Sequence, residues 1–376
     1  MIKHFLWLAL LLAGCGAKDN SEPPAPLPEM PNLQQPPVKW SVSTGADLRK
    51  HYLKLTPAVV EDRLFVATQR GDVQAYQLKD GKSLWEKSFD VTLSSGIGVG
   101  SKYLAVGSTK GDVILLDQTD GKEYWRVNVG GEILVAPQIG GGVVAVRSGN
   151  GKLTALDTLD GHRLWSYERP VPTLSLRGTS APLIEIPLIF VGMDNGKIAA
   201  LDLNSGKPLW EGQLSQPRGK TELERMVDID ADLQLSDGAV YVVAFQGKLA
   251  AIAATNGQIL WERDLSSYAG FTLDYKYLYI TDMDSQLLAY DRFNGGSLWK
   301  QDKLRARRLT QPVSVGKYLA VGDFEGYIHW ISKEDGSLVG RTLTDSAGIR
   351  TSPIVVNDQI LVLGNAGYLY LVDPPK

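Results

Sequence analysis

A single cysteine, Cys15, means that no disulfide can form within this chain, which excludes a fold stapled by covalent cross-links. Histidine is almost as scarce: His4, His51, His162 and His329 have no metal-ligand spacing. Charge of one sign is not in excess, with 39 Lys and Arg against 42 Asp and Glu. The net charge of −3 leaves no basic footprint for nucleic acid. The apolar run at the start, Phe5 to Leu12, is too short to span a bilayer. Helical periodicity is missing from residue 40 onward. What is abundant is glycine, 39 residues of it, which fits a chain of many tight turns.

The N-terminus has its own organisation. Met1-Ile2-Lys3-His4 is a short positive start, Phe5–Leu12 reads as a signal-peptide core, and Leu12-Ala13-Gly14-Cys15 follows. This resembles the bacterial lipobox, in which cleavage before the cysteine leaves a residue that is acylated on sulfur and on its amine. The expected division is a lipoprotein signal peptide over 1–14, a lipidated Cys15 with a Pro-rich tether over 15–37, and a folded unit over 38–376. Several acyl chains anchor stably where one is marginal. Residue 16 is Gly rather than Asp, and by resemblance to Gram-negative lipoproteins this implies an outer-membrane anchor facing the periplasm. Seven of the 19 prolines lie in the tether. At about 3.1 Å per residue, such a segment would reach about 70 Å and act as a spacer.

The folded unit repeats. Gly-x-x-x-Trp occurs as GKSLW (81–85), GKEYW (121–125), GHRLW (161–165), GKPLW (206–210), GQILW (257–261) and GGSLW (295–299). With Gly336, the turn glycines are spaced by 40, 40, 45, 51, 38 and 41 residues. Before each turn stands a strand such as GDVILLD (111–117), with alternating apolar residues; there are eight copies. Asp-Gly and Asn-Gly pairs then predict hairpin turns, because both residue types tolerate positive φ. Two further strands precede each copy, as in TSPIVV (351–356) and QILVL (359–363). Four antiparallel strands per 40 residues is a propeller blade. The predicted fold is therefore all-β, an eight-bladed β-propeller of four-stranded antiparallel blades. The eighth unit ends without its Trp strand, whereas PVKWSV (37–42) is a Trp strand without a unit. The N-terminal strand should complete the C-terminal blade and remove the open edges. Each Trp should then cover one seam between blades. The seventh unit has Gly340 where Trp is expected, and Trp330 is the candidate to fill part of that gap.

The string Ala-x-Asp-x-x-x-Gly-x-x-x-Trp, at 155–165 and 200–210, resembles the docking repeat of pyrroloquinoline-quinone-dependent dehydrogenases, which are also eight-bladed. A shared architecture is weak support for a shared activity. Many of those enzymes place a vicinal disulfide against a calcium-bound quinone, and Cys15 alone cannot form one. Little chain remains after eight minimal blades for an active-site cap. The motif DIDAD (228–232) has Leu233 and Ala239 where a calcium loop needs Gly and Glu. GIGVG (96–100) opens no helix and is not a dinucleotide fingerprint. The expectation is no enzyme, no cofactor and no metal. The alternative is a quinone dehydrogenase, or a small-molecule binder in the central channel.

The two longest intervals end at Gly206 and Gly257, and their extra residues follow a Trp strand. Both loops should leave adjacent blades on the rim opposite the glycine turns. RPVPTLSLRGTSAP (169–182) offers Leu174, Leu176 and Arg177 as a partner-binding patch, unless the leucines tuck beneath the loop. SQPRGKTELERMVDIDAD (215–232) adds Asp228 and Asp230 beside it, or is a solvated excursion with the aspartates at a strand start. A lipoprotein with these repeats, with LSLRG after the third Trp and TELERMVDID after the fourth, resembles the BamB family of the outer-membrane β-barrel assembly machinery. The resemblance implies a non-catalytic scaffold that binds periplasmic POTRA modules of BamA and assists folding and insertion of outer-membrane proteins. Leu174, Leu176, Arg177, Asp228 and Asp230 fall on the matching loop motifs.

Overall fold

The computed structural model describes residues 22–29, 32–49, 53–170, 172, 174, 180–217 and 219–376. Among them every regular element is a strand, and the strands form eight four-stranded antiparallel sheets. Blade 1 runs outward from Ala58–Val60 through Arg63–Ala67 and Asp72–Gln77 to Ser83–Ser88. Blades 2 to 7 repeat this from innermost strands Gly98–Gly100, Gln138–Gly140, Leu183–Glu185, Gln234–Ser236, Gly270–Leu273 and Val313–Val315. Blade 8 takes Ile354–Val356, Gln359–Leu363 and Tyr368–Val372 from the C-terminus and Val38–Ser43 from the N-terminus. In that closing pair Ser41 faces Tyr370 and Ser43 faces Tyr368. The clasp read from the sequence is present.

The alternation along each third strand does not separate a wet face from a dry one. In Asp112–Asp117, Val113, Ile114, Leu115 and Leu116 are all fully buried. Val113 and Leu115 pack with Val144 and Val146 of blade 3, whereas Ile114 and Leu116 pack with Phe65 and Ala67 of blade 1. Period two therefore divides each strand between two cores, and the ring holds one core at every seam. The outermost strands alternate towards solvent, as does the start of Tyr368–Val372 in blade 8, where Tyr368 is exposed and Leu369 buried.

The Gly-x-x-x-Trp motif serves two seams at once. Trp40, Trp85, Trp125, Trp165, Trp210, Trp261 and Trp299 each donate the indole N–H to a carbonyl of the next blade, over 2.8–3.2 Å. The indole face lies on that blade's turn glycine. At Gly121 a Cβ would stand 2.6 Å from the Trp85 ring. The glycine of each motif thus receives the previous blade's Trp, and its own Trp goes forward. Gly81 takes positive φ (+69°), but Asp80 does not; its carboxylate accepts the Lys82 amide (3.1 Å) in a four-residue turn closed by Gln77 and Lys82.

The exception at Gly340 has a structural reason. Blade 8 receives its outer strand from the other terminus, so it has no turn glycine on which a blade 7 Trp could stack. Pro375 and residues Gln34 to Pro36 occupy the space instead, 3.2–3.4 Å from where a Cβ of residue 340 would be. Trp330 stands opposite Gly340 in register and is fully buried at the seam of blades 7 and 8. The other blades have Ala or Leu at that position, so bulk has moved one strand inward.

The Pro-rich segment is not the free spacer its composition suggests. Gln34 lies alongside blade 7, donating to Val339 O (3.0 Å) and accepting from the Arg341 amide (2.9 Å). Leu33 packs onto the core between blades 6 and 7. Farther back, Ala25 donates to Arg305 O (2.9 Å), and Glu22 pairs with Arg305 at 3.0 Å.

Candidate functional site

In a meander of four strands, the second-to-third turns and the connections to the next blade lie on one rim. Hydrogen bonds across that rim show this, such as Thr109 N–H to Thr92 O (2.9 Å) and Phe245 N–H to Asp228 O (2.8 Å). Both long loops leave from it, as expected, between blades 3 and 4 and between blades 4 and 5.

The first loop is clamped at its base. Tyr167 OH donates to Glu211 of blade 4 (2.8 Å), Arg169 pairs with the same carboxylate (2.5 Å), and the Arg169 guanidinium sits over the Tyr167 ring. Burial pushes the Glu211 carboxyl up, but the bonds from Tyr167 and Arg169 outweigh it and leave it below its ordinary value. At the far end Ser180 is buried, and Ala181 N–H donates to Asp232 (2.8 Å), the last residue of the second loop. The two insertions are thereby tied together. Leu174 projects from the first, 43% exposed. Leu176 and Arg177 lie outside the described residues.

The second loop carries a capping box without a helix. Thr221 Oγ1 accepts from the Glu224 amide (3.2 Å), and the Glu224 carboxylate accepts from the Thr221 and Lys220 amides (3.1 and 2.7 Å). This single turn exposes Leu223 (63%) and then plunges, with Met226, Val227 and Ile229 buried.

Asp228 and Asp230 are not on the surface. Asp228 is fully buried and Asp230 nearly so. They belong to a cluster around Arg147 of blade 3, whose guanidinium pairs with Asp194 of blade 4 at 2.7 Å, both side chains enclosed. Burial pushes Asp230 up to about 6, with Asp194 adding to the effect and Lys54 and Arg147 opposing it. Burial also raises Asp194 against the pull of Arg147, and raises Asp232 against its bond from Ala181. Asp230 and Asp232 line a cavity of about 290 Å³ at the channel mouth, where the entries of all eight innermost strands converge. The charged pair expected beside Leu174 therefore supports the rim from beneath. The physical reason is that the segment before the innermost strand of blade 5 runs under the rim, where Ile229 N–H donates to Met193 O (3.3 Å) and Asp228 O accepts from the Phe245 amide (2.8 Å), so all three residues are covered. Sequence reading missed Arg147 and Asp194; a charged residue ending the apolar strand VVAVR (143–147) was the available signal.

Among the described residues, Asp157, Asp160 and His162 bring possible ligand atoms within 4.8 Å of one another. They share one exposed blade turn in which Asp160 accepts the His162 amide (3.0 Å), so turn geometry accounts for the grouping.

A family profile described as outer membrane protein assembly factor BamB matches residues 69–301. Outer membrane protein assembly factor BamB of Pseudomonas aeruginosa is 46% identical over 370 residues, covering 98% of this chain and 97% of that one. The Escherichia coli K12 protein of the same name is 34% identical over 375 residues, 96% of each. Among solved structures, BamB from Moraxella catarrhalis has a TM-score of 0.82 at 26% identity, over 90% of this chain and 99% of that one. A quinohemoprotein alcohol dehydrogenase from Comamonas testosteroni has a TM-score of 0.72 at 15% identity, over 92% of this chain and 78% of that one, a likeness of fold.

Proposed function

Because this chain belongs to the family of outer membrane protein assembly factor BamB, we propose that it is a scaffold of the outer-membrane β-barrel assembly machinery that docks periplasmic POTRA modules of BamA. It works without catalysis: the relatives matched over nearly their whole length carry the assembly name, and the quinone dehydrogenases share only the propeller. Cys15 anchors it to the outer membrane by lipid, facing the periplasm. The observation that carries the docking surface is the link between the two longest loops on one rim, Ala181 to Asp232, with Leu174 exposed beside it.

In this reading Leu174, Leu176 and Arg177 make the contact. Asp228 and Asp230 act through position: with Arg147 and Asp194 they hold the base from which the loops rise. A buried apolar anchor is worth about 1–3 kcal/mol of binding, and a charge beside it sets orientation. Leu174→Ala and Arg177→Glu should each weaken retention of BamA in detergent-solubilised outer membrane by about that amount, with melting unchanged. Variants that melt normally and keep BamA at the unaltered level would place the docking surface elsewhere on the ring.

A further inference from the structure

We propose that residues 22–29 and 32–37 form a strap that pins the lipid anchor to the rim of blades 6 and 7, so that this rim faces the lipid headgroups. The inference rests on Cys15 being the anchor; the docking of the strap rests on contacts within the ring. Pro23, Pro24 and Pro26 have no amide N–H, which leaves Ala25 the sole donor in that stretch, and both polar groups of Ala25 are taken by one loop. Its N–H donates to Arg305 O (2.9 Å), and its carbonyl accepts from Arg307 Nη1 (3.0 Å).

Arg307 is built for this grip. Its side chain is almost wholly buried, bonded through Nε to Asp323 (2.9 Å) and paired with Glu325. Asp323 is fully buried and is held in turn by His329 Nε2 (2.8 Å) and by the Glu325 and Tyr327 amides. The neighbours of Arg307 in the chain, Ala306 and Arg308, both have left-handed backbone, at φ +57° and +51°. Residues with side chains seldom adopt that conformation, and where they do, the surroundings impose it. Here the imposed shape aims one guanidinium out of a buried acidic nest at the strap. An extended, proline-stiffened segment suits such a groove, since little conformational freedom is lost on docking.

The geometry sets the ring against the membrane. Gln34 lies beside the outer strand of blade 7, Leu33 packs on the core of blades 6 and 7, and Ala25 lies on the connection that joins those blades. Glu22, Pro23 and Pro24 then border a cavity of about 520 Å³ with Tyr268, Met283, Arg308 and Phe324. Only residues 16–21 separate Cys15 from Glu22, so the anchor lies within about 25 Å of this point, in place of the 70 Å of a free spacer. Tyr268 and Met283 are 39% and 46% exposed there, and an aromatic side chain beside a cation suits the headgroup layer. The two long loops share this rim, so a partner docked on them is held beside the membrane too.

The test uses the full-length lipidated chain on vesicles of phosphatidylethanolamine and phosphatidylglycerol carrying an acceptor-labelled lipid. Cys15 being the sole cysteine, one added cysteine gives one label: Asp284→Cys on this rim or Tyr275→Cys on the opposite one. Strands of five or six residues separate the rims by about 20 Å, so energy transfer from 284 should exceed that from 275 several-fold. Glu22→Lys with Ala25→Pro, changes confined to the strap, should abolish the difference while the protein stays bound. Equal transfer from both rims in the unaltered strap overturns the proposal. Vesicle binding by Cys15→Ser at the unaltered level overturns the anchor, and the orientation with it. A second measurement needs no membrane: in the soluble Cys15→Ser chain the Ala25 amide should exchange about tenfold or more slowly than in an unstructured peptide. Exchange at the unstructured rate removes the strap outright.

Discussion

Replacing Gly121 by Ala tests whether the Gly-x-x-x-Trp repeat works by stacking. Gly121 has φ +70°, and its new Cβ would lie 2.6 Å from Trp85 Cζ3 and 2.8 Å from Cε3. The indole cannot retreat freely, because its N–H is bonded to Gln118 O in the same blade as the glycine. Two costs follow. Left-handed backbone in a residue with a side chain costs about 1–2 kcal/mol. Overpacking a fixed ring adds about 1–3 kcal/mol. Gly142 separates the two: its φ is +80°, but nothing lies within 4 Å of the Cβ position, so Gly142→Ala carries only the backbone cost. For a domain of this size each kcal/mol lowers Tm by about 2 °C. Gly121→Ala should therefore melt about 4–10 °C below the unaltered chain, and Gly142→Ala about 2–4 °C below it. Scanning calorimetry on both, with Trp85→Leu alone and combined with Gly121→Ala, completes the cycle. Lys87 Cγ also lies 2.7 Å from the new Cβ, so in the Trp85→Leu background the cost of Gly121→Ala should fall towards that of Gly142→Ala without reaching it. If the two alanine variants melt alike, or the whole excess persists without Trp85, the stacking account is refuted.

Three further expectations concern the ring. Starting the chain at residue 45 removes Val38–Ser43 and the Trp40 bond to Leu78 and bares the edge of Tyr368–Val372; Tm should fall and the protein should associate, and an unchanged Tm would dismiss the clasp. Gly340→Trp restores the repeat's usual residue but drives it into Pro375 and Pro36, so calorimetry should show destabilisation of about 1–3 kcal/mol, and a stabilised variant would contradict the account of the eighth seam. Asp230 binds its proton more tightly folded (about 6) than unfolded (3.8), so the stability it contributes is complete below the lower value and is lost as pH rises through the upper one, by at most about 3 kcal/mol. Tm measured from pH 4 to 7 should decline less in Asp230→Asn, and an identical slope would mean that Asp230 is not the group responsible.

Much of the architecture is legible before folding, because repeat chemistry is local. Turn glycines at a period near 40, apolar strands before them and an orphan Trp strand at 37–42 each report a few neighbouring residues, and together they require eight blades and a clasp. The two longest intervals likewise locate both long loops on one rim, since four antiparallel strands return the chain there every time. What tertiary structure alone decided involves residues that meet across the ring. The destination of each Trp, a carbonyl and a glycine of the following blade, is written about 35 residues away from the indole it receives. Asp228 and Asp230 look like surface charges in a polar loop, yet the packing of blades 4 and 5 covers them under the rim, near Arg147 and Asp194. The proline segment looks like an inert spacer because composition reports stiffness and says nothing of a partner; its contact, Ala25 with Arg307, spans 282 positions. Local conformational preference is a property of short sequence, whereas burial and long-range pairing are set by which faces the closed ring brings together.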